Sequence, residues 1–257
     1  MNFPSDTLFT RNMEKSLLSL YDRKKRNETQ LCVCEGLRAC QELYLINPEL
    51  IEYAVVTDKV DSSFLKGIRV FHAEERFFKR ISSTVNSQGI LLAAKIPRLP
   101  SDGFTDAPFA LVLDRIADPG NMGTILRTCA SVGLKNIWVS DSSVDPYSEK
   151  TIRSALCAQF ALNLHQYKEI DTLVEELRKS GFGKVYRTEP AGGINCFESQ
   201  ELFEKSIIIF GNEANGIKDV KDSSAVNIPM PGKFESLNVA QSVTVILFEA
   251  VRRKILR

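Results

Sequence analysis

Short apolar runs alternate with helical patterns over residues 108–257, and this alternation constrains the fold more than any other feature. The run Ile207-Ile208-Ile209-Phe210 is apolar at consecutive positions, which is typical of a strand covered on both faces of a parallel sheet. The predicted strands are 109–113, 136–139, 161–165, 184–187, 206–210 and 225–228, and the predicted helices are 122–132, 148–157, 169–180 and 236–256. We therefore predict an α/β fold with a mostly parallel sheet.

A smaller α/β unit is predicted before this region. Its predicted helices are 8–27, 35–45 and 74–82, and its predicted strands are 31–34, 53–57, 68–71 and 89–94. Residues 97–107 are rich in proline, glycine and small polar residues, a composition typical of a linker. We therefore predict three parts: a first domain over 1–96, a linker over 97–107 and a second domain over 108–257.

Composition limits the classes of function. The net charge of +1 excludes a polybasic nucleic-acid binder, so any RNA contact must come from a local patch. The six cysteines form no C-x-x-C pair and only two histidines are present, so we expect no metal site and reduced, structural thiols. No signal peptide and no apolar run long enough to span a bilayer is evident. The expected location is cytoplasmic.

One charged run is a candidate for RNA contact. Arg23, Lys24, Lys25 and Arg26 are consecutive at the end of the first predicted helix. The run is consistent with a solvated helix end, and equally with a patch that contacts phosphates.

The first candidate site segment, residues 121–133, follows a strand and opens a helix. Asn121 is predicted to cap that helix and Gly133 to end it. Arg127 lies in mid-helix among apolar residues, and a guanidinium buried there without a partner would be costly. Two explanations remain open: the side chain extends outward or pairs with a carboxylate, or it serves a functional site.

Two more segments follow strands near the end of the chain. Residues 211–216 read Gly-Asn-Glu-Ala-Asn-Gly directly after the strand 206–210, where ligands of open α/β sheets bind. Residues 227–239 form a Pro/Gly loop in which Ser236 is a predicted N-cap of the last helix. No G-x-G-x-x-G follows a strand, and no P-loop, H-E-x-x-H or G-x-S-x-G occurs, so these segments do not match the common nucleotide or hydrolase sites.

Together the three segments resemble the motifs of the SPOUT superfamily, in its TrmH/SpoU branch of RNA ribose 2′-O-methyltransferases. The first motif stands here as N-M-G-T-I-L-R-T-C-A-S-V-G over 121–133, the second as G-N-E-A-N-G over 211–216, and the third as I-P-M-P-G with S-L-N-V over 228–239. The first 95 residues more loosely resemble the substrate-binding domain of that family, which is related in fold to ribosomal protein L30e.

The resemblance implies a fold, a cofactor and a set of site residues. It implies a C-terminal trefoil knot, a homodimer formed through the catalytic domain, RNA as the partner and bound S-adenosylmethionine. Implied cofactor-binding residues are Thr188, Gly211, Ile228, Met230 and Leu237. Implied catalytic residues are Asn121, Arg127, Glu213, Ser236 and Asn238.

The role of Arg127 and the RNA substrate stay open at this level. The resemblance implies that Arg127 acts as a general base. A guanidinium is effectively never deprotonated in proteins, so the alternative is that Arg127 stabilises the developing alkoxide or holds a phosphate. Ribosomal RNA is the expected substrate, with guanosine or another nucleoside as the target. The alternatives are a tRNA 2′-O-methyltransferase, methylation of a base nitrogen, and a non-catalytic RNA- or ribosome-binding homologue.

Overall fold

The computed structural model describes residues 8–99, 106–212, 217, 220–234 and 236–256. Elements of the first hundred residues are α1 (Arg11–Ser19), α2 (Arg23–Thr29), β1 (Leu31–Glu35), α3 (Leu37–Ile46), β2 (Ile51–Val56), β3 (Val70–His72), α4 (Glu75–Ile81) and β4 (Ile90–Lys95). The later elements are β5 (Phe109–Leu113), α5 (Pro119–Ser131), β6 (Asn136–Ser140), α6 (Glu149–Ala155), β7 (Asn163–Tyr167), α7 (Ile170–Lys179), β8 (Val185–Thr188), β9 (Ile194–Asn195), β10 (Ser206–Phe210), β11 (Ser223–Asn227) and α8 (Val239–Arg252). Short 3-10 helices lie at Pro48–Leu50, Ala158–Ala161 and Glu201–Phe203.

The chain divides into two compact units. Unit 1 consists of Met1–Arg98 and Asp145–Ala161, and unit 2 consists of Leu99–Val144 and Leu162–Arg257. The segment Asp145–Ala161 therefore differs from the sequence-based division, which assigned it to the second domain. It joins unit 1 because α6 packs against β1 and because Asp145 accepts hydrogen bonds from the Arg26 guanidinium.

Unit 1 is built on a four-stranded mixed sheet in the order β1-β4-β2-β3, within the described residues. Strand β4 pairs antiparallel with β1 and β2, and β2 pairs parallel with β3. Both α1 and α4 contribute to its core, which includes the buried side chains of Leu17, Val33, Val55, Phe78 and Leu91.

The helix predicted over 8–27 is two helices in the structure. Helix α1 ends at Ser19, and Asp22 caps α2 by accepting a hydrogen bond from the Lys25 amide. A helix start at Asp22 agrees with the preference of aspartate for the N-cap position, and it separates the basic run from the apolar turn before it.

Unit 2 contains a seven-stranded sheet in the order β7-β6-β5-β10-β8-β11-β9, as far as the described residues extend. Every paired register in it is parallel. The central strands β5 and β10 are buried along their whole length, as their apolar sequences require. The prediction of a mostly parallel α/β sheet is confirmed. The strand order descends from β7 to β5 and then continues with β10, so it changes direction between β5 and β10.

Cysteine thiols and membrane spans were both subjects of sequence-based expectations. All six cysteines are free and buried, and burial raises the pKa of the Cys32 and Cys129 thiols. Across the described ranges, no helix combines the length and the hydropathy that crossing a membrane requires.

A buried carboxylate organises the loop between α4 and β4 in unit 1. Glu35 is 4% exposed and accepts hydrogen bonds from the hydroxyls of Ser82, Ser83, Thr84 and Ser87 and from the Ser83 amide. Burial alone would raise the pKa of Glu35, but the hydrogen bonds from these donors outweigh it and hold the pKa below its ordinary value. The ionised form of Glu35 therefore stabilises the folded unit.

We expect Glu35→Gln to lower the free energy of unfolding at pH 7 by about 2 kcal/mol, because the amide loses the charge that strengthens these hydrogen bonds. Because the pKa of Glu35 is lower in the folded protein than in the unfolded chain, Glu35 contributes its full stabilisation at pH values above its ordinary pKa. This contribution to the free energy of unfolding is lost as the pH falls through the pKa of the folded state. The difference between wild type and variant should therefore shrink below about pH 4. Urea unfolding from pH 3 to pH 7 measures it. The exposed Glu49 provides the control, Glu49→Gln, and a difference that is constant with pH would contradict the assignment.

Candidate functional site

Three neighbouring strands of unit 2 end together at one edge of the sheet. In the parallel registers Val226 of β11 lies opposite Thr188 of β8, and Ile209 of β10 lies opposite Arg187 of β8. The Thr188 hydroxyl donates to the Ile209 carbonyl at 3.1 Å, which ties the ends of β8 and β10 together. The carboxyl ends of parallel strands are where open α/β sheets bind ligands.

Helices α5 and α8 pack against each other, and their N-termini are joined by two asparagines. The Asn238 amide Nδ2 donates to Asn121 Oδ1 at 3.0 Å. This contact brings the first and third motif segments together, although they are far apart in the chain.

The caps of these two helices differ from the sequence-based predictions. Asp118, rather than Asn121, caps α5, and its carboxylate accepts from the Asn121 amide at 2.7 Å. Asn238, rather than Ser236, caps α8 and accepts from the Ala240 amide at 2.9 Å. Pro119 at the first position of α5 explains the earlier start, because proline is favoured there and its missing N–H costs nothing. Gly133 does follow the end of α5, with a φ of +75°.

A pocket lies at the ends of β8, β10 and β11 and is closed by the start of α8. Its lining residues come from four segments: Thr188, Glu189, Pro190, Phe210, Gly211, Asn212, Ile217, Val226, Ile228, Met230, Ser236, Leu237, Val239, Ser242 and Ile246. All five residues predicted to bind the cofactor are among them. Their role as cofactor contacts remains a prediction, but the structure brings all five to one cavity.

The five implied catalytic residues are distributed differently. Ser236 lines the pocket and is exposed, and Asn121 and Asn238 contact each other beside it. Glu213 lies outside the described residues. Arg127 does not line the pocket; it lies six residues beyond Asn121 on α5, about 9 Å further along the helix axis.

Arg127 is exposed rather than buried. Across the residues that the structure describes, no carboxylate lies within ion-pair distance of its guanidinium. The apolar neighbours that raised the question of burial, Ile125, Leu126 and Cys129, face the core instead. The side chain therefore extends outward from α5 as a cation open to an anionic ligand.

One carboxylate of the pocket wall and a second at the end of β5 are each paired with an arginine. Glu189 lines the pocket and accepts from the Arg187 guanidinium at 3.0 Å. At the end of β5, Asp114 accepts from Arg115 Nε at 2.8 Å and from the Tyr167 hydroxyl at 3.3 Å. Burial, together with the charge of Asp114, raises the pKa of Tyr167, so this phenol stays protonated and donates to the carboxylate.

The basic run in unit 1 is only partly available to a ligand. Arg23, Lys24 and Lys25 are exposed on α2, and Lys25 pairs with Glu28 at 2.7 Å. The structure contradicts the prediction that Arg26 contacts RNA, because its side chain is buried.

Arg26 is 4% exposed and its guanidinium is fully engaged inside unit 1. It donates through Nε and Nη2 to Asp145 Oδ2, at 2.8 and 2.6 Å, and through Nη1 to the Leu20 carbonyl at 2.7 Å. These contacts turn Arg26 away from any phosphate, because a buried guanidinium must keep its partners. Because Arg26 stands in a run of basic residues, the sequence did not indicate its structural role in binding Asp145 and Leu20.

Sequence reasoning missed several lining residues. Glu189, Ser242 and Ile246 belong to no motif that the sequence presented. Glu189 could have been found from its position at the end of a predicted strand next to Thr188. Ser242 and Ile246 could have been found from the helical spacing that follows Asn238, since i, i+4 and i+8 lie close to one face of a helix.

The arrangement suits a ligand that is partly apolar and partly polar. Phe210, Val226 and Ile246 form the apolar part of the pocket lining. Thr188, Glu189 and Ser242 contribute its hydroxyl and carboxylate groups. Small-molecule sites generally combine a mainly apolar wall with a few polar groups that orient the ligand. The asparagine pair lies beside this pocket, and the exposed Arg127 lies further along α5.

Comparison with known families assigns both regions of the chain. The family described as SpoU rRNA Methylase matches residues 108–248. The family described as the MRM3-like substrate binding domain matches residues 13–92.

Individual proteins agree with this assignment. The chain is 28% identical over 239 residues to the 23S rRNA (guanosine(2553)-2′-O)-methyltransferase RlmP of Bacillus subtilis, covering 91% of this chain and 94% of that protein. An RNA methyltransferase structure of the TrmH family from Porphyromonas gingivalis is 28% identical, with a TM-score of 0.80 over 96% of this chain and 99% of the other. The AdoMet-bound rRNA methyltransferase from Sinorhizobium meliloti is 26% identical, with a TM-score of 0.77 over 98% of each chain.

Proposed function

This chain belongs to the SpoU rRNA Methylase family, and on that premise we propose that it transfers a methyl group from S-adenosylmethionine to a ribose 2′-hydroxyl of ribosomal RNA. The observation that carries the proposal is the unit 2 pocket, because its lining includes all five residues predicted to bind the cofactor. Relatives named as 23S rRNA 2′-O-methyltransferases support the substrate class and the position of methylation.

The pocket fits S-adenosylmethionine by its chemistry. Apolar side chains such as Phe210 and Ile246 suit the adenine ring, and Thr188, Ser242 and Glu189 suit the ribose hydroxyls and the charged amino-acid part. When bound, the cofactor supplies an electrophilic methyl group on a positively charged sulfur. Residues Gly211, Ile228, Met230 and Leu237 would hold it, because they line the same cavity.

The catalytic contribution of the chain is positioning and charge control. The ribose hydroxyl would give its proton to water as its oxygen bonds to the methyl carbon, and the exposed Arg127 cation is suited to stabilise the negative charge that the oxygen gains as the proton leaves, or to hold the adjacent phosphate. Because a guanidinium keeps its protons, we assign Arg127 this electrostatic role rather than that of general base. Asn121 and Asn238, with Ser236 and Glu213, would orient the nucleotide.

Finer features of the family are also part of the proposal. The strand order β7-β6-β5-β10-β8-β11-β9 and the solved relatives support a C-terminal trefoil knot, and the mixed sheet of unit 1 supports an L30e-like RNA-binding domain. A homodimer formed through the catalytic domain, which the resemblance implies, is part of the same proposal. The free, buried cysteines support a cytoplasmic location.

Removing two charges from α2 should weaken RNA binding. We expect the double variant Arg23→Ala, Lys24→Ala to show a smaller slope of the logarithm of the binding constant against the logarithm of the salt concentration. The slope should fall in magnitude by about 1 to 2, because each phosphate contact contributes roughly 0.7 to 0.9 to it. RNA binding measured by fluorescence anisotropy at several salt concentrations tests it. Lys66 and Lys79, exposed elsewhere on unit 1, provide the control with the same loss of charge. Equal slopes for the two double variants would contradict a specific role for α2.

The proposed reaction is tested with the purified chain, ribosomal RNA and S-adenosylmethionine carrying a labelled methyl group. After nuclease digestion, mass spectrometry should find the label on ribose as a 2′-O-methylnucleoside. Label on a base nitrogen, or transfer to tRNA in preference to ribosomal RNA, would contradict the proposal. Isothermal titration calorimetry supplies the second measurement, since a non-catalytic RNA-binding homologue would take up no S-adenosylmethionine.

A further inference from the structure

Phe234 is a large aromatic side chain that the fold leaves almost entirely in solvent. Its exposed fraction is 84%, the highest of any phenylalanine among the described residues. Isolated exposed apolar residues are common and need no explanation by themselves. Phe234 differs because of where the chain places it.

The loop that carries Phe234 forms part of the pocket wall on both sides of it. Ile228 and Met230 line the pocket before Phe234, and Ser236 and Leu237 line it afterwards. Phe234 is only two residues from Ser236, so their Cα atoms are at most about 7 Å apart. The backbone position that carries the ring is therefore close to Ser236, which we assign to the acceptor nucleotide.

We propose that Phe234 stacks on the unpaired base of the nucleotide whose ribose is methylated. The inference rests on the proposed function, since it requires an RNA ribose beside Ser236 and Asn238. The base and the 2′-hydroxyl of one nucleotide are attached to adjacent carbons of the same sugar, so a nucleotide held at Ser236 brings its base within reach of this loop. Unstacked RNA bases are commonly bound on aromatic side chains.

The surroundings of Phe234 favour a nucleic-acid base over a second copy of the chain. Lys233 precedes it and is exposed, and Glu235 follows it in the sequence. Charged residues are depleted from the cores of protein interfaces, whereas a lysine beside an aromatic ring is the usual combination for a base and its phosphate. An aromatic ring also stacks on every base, so Phe234 contributes to affinity and positioning more than to the choice of base.

The test compares Phe234→Ala with Phe234→Tyr in steady-state methylation of ribosomal RNA. Phe234→Ala should raise KM for RNA about tenfold, as loss of one stacked base predicts, while the Kd for S-adenosylmethionine stays within about twofold of wild type. Phe234→Tyr keeps the ring and should restore KM. Phe197, 44% exposed in the same unit and outside the pocket lining, provides the control, and Phe197→Ala should leave both constants unchanged.

A second substrate separates stacking from a change in loop structure. Once the methylated nucleotide has been mapped, RNA with an abasic sugar at that position should raise KM for wild type about tenfold and cause no further loss in Phe234→Ala. Additive losses would overturn the proposal, as would a wild-type KM for Phe234→Ala. Conversion of a dimer to a monomer by Phe234→Ala, seen by light scattering, would also overturn it, in favour of a contact between copies. A wild-type protein that methylates no RNA refutes the proposed function instead.

Discussion

Replacing Arg127 by alanine should lower kcat for methyl transfer about a thousand-fold, at the upper end of what one preorganised electrostatic group contributes. That loss corresponds to about 4 kcal/mol of transition-state stabilisation. The reason is that the alkoxide forming on the ribose would lose the exposed cation that α5 presents. The Kd for S-adenosylmethionine should change less than about twofold, because Arg127 does not line the pocket. Single-turnover kinetics and calorimetry measure the two quantities separately.

The fold should tolerate this substitution, so lost activity can be attributed to the side chain. Alanine has the higher helix propensity, and the Arg127 guanidinium is paired with no carboxylate in the described part of the chain. Arg127→Lys keeps the charge without the planar fork and should fall between wild type and Arg127→Ala. Lys135→Ala, which removes an exposed cation beyond the end of α5, is the control and should remain active. Normal turnover of Arg127→Ala would show that the arginine has no part in the reaction.

Replacing Leu237 by arginine should weaken S-adenosylmethionine binding at least about 100-fold, a cost of about 2.7 kcal/mol. Leu237 is half-buried in the pocket wall. A long cation there would occupy the cavity and would repel a positively charged ligand. Calorimetry measures the affinity directly.

Leu237 precedes the first residue of α8, so the helix itself should be retained in Leu237→Arg. Thermal unfolding without cofactor checks this point and should shift by no more than a few degrees. Leu237→Met keeps an apolar side chain of similar volume and should bind the cofactor within about threefold of wild type. Undiminished affinity in Leu237→Arg would mean that the cofactor binds elsewhere.

Buried strands were the most predictable part of the fold. The bounds predicted for β5 and β10, 109–113 and 206–210, agree with the structure, because a strand covered on both faces is apolar at consecutive positions. Strand β9, only Ile194–Asn195, was not predicted, since two residues carry no periodicity. The caps were ambiguous because Asp118 and Asn121 are both favourable residues, and only the proline at position 119 distinguishes them.

Long-range contacts were outside the reach of sequence patterns. The partner of Arg26 is Asp145, which is 119 residues away, so its basic neighbours suggested RNA contact instead. The same ion pair explains why Asp145–Ala161 belongs to unit 1. The five residues predicted to bind the cofactor came from the family resemblance. Composition and spacing alone indicated a ligand site at strand ends without its chemistry.

Ribose-methylation mapping of total RNA from a strain lacking this protein and from its parent tests the central claim most directly. We predict that a 2′-O-methyl site in ribosomal RNA is lost in the deletion strain, and that wild-type protein restores it while the Arg127→Ala variant does not. Unchanged ribose methylation in ribosomal RNA, or a lost site found only in tRNA, would contradict the account.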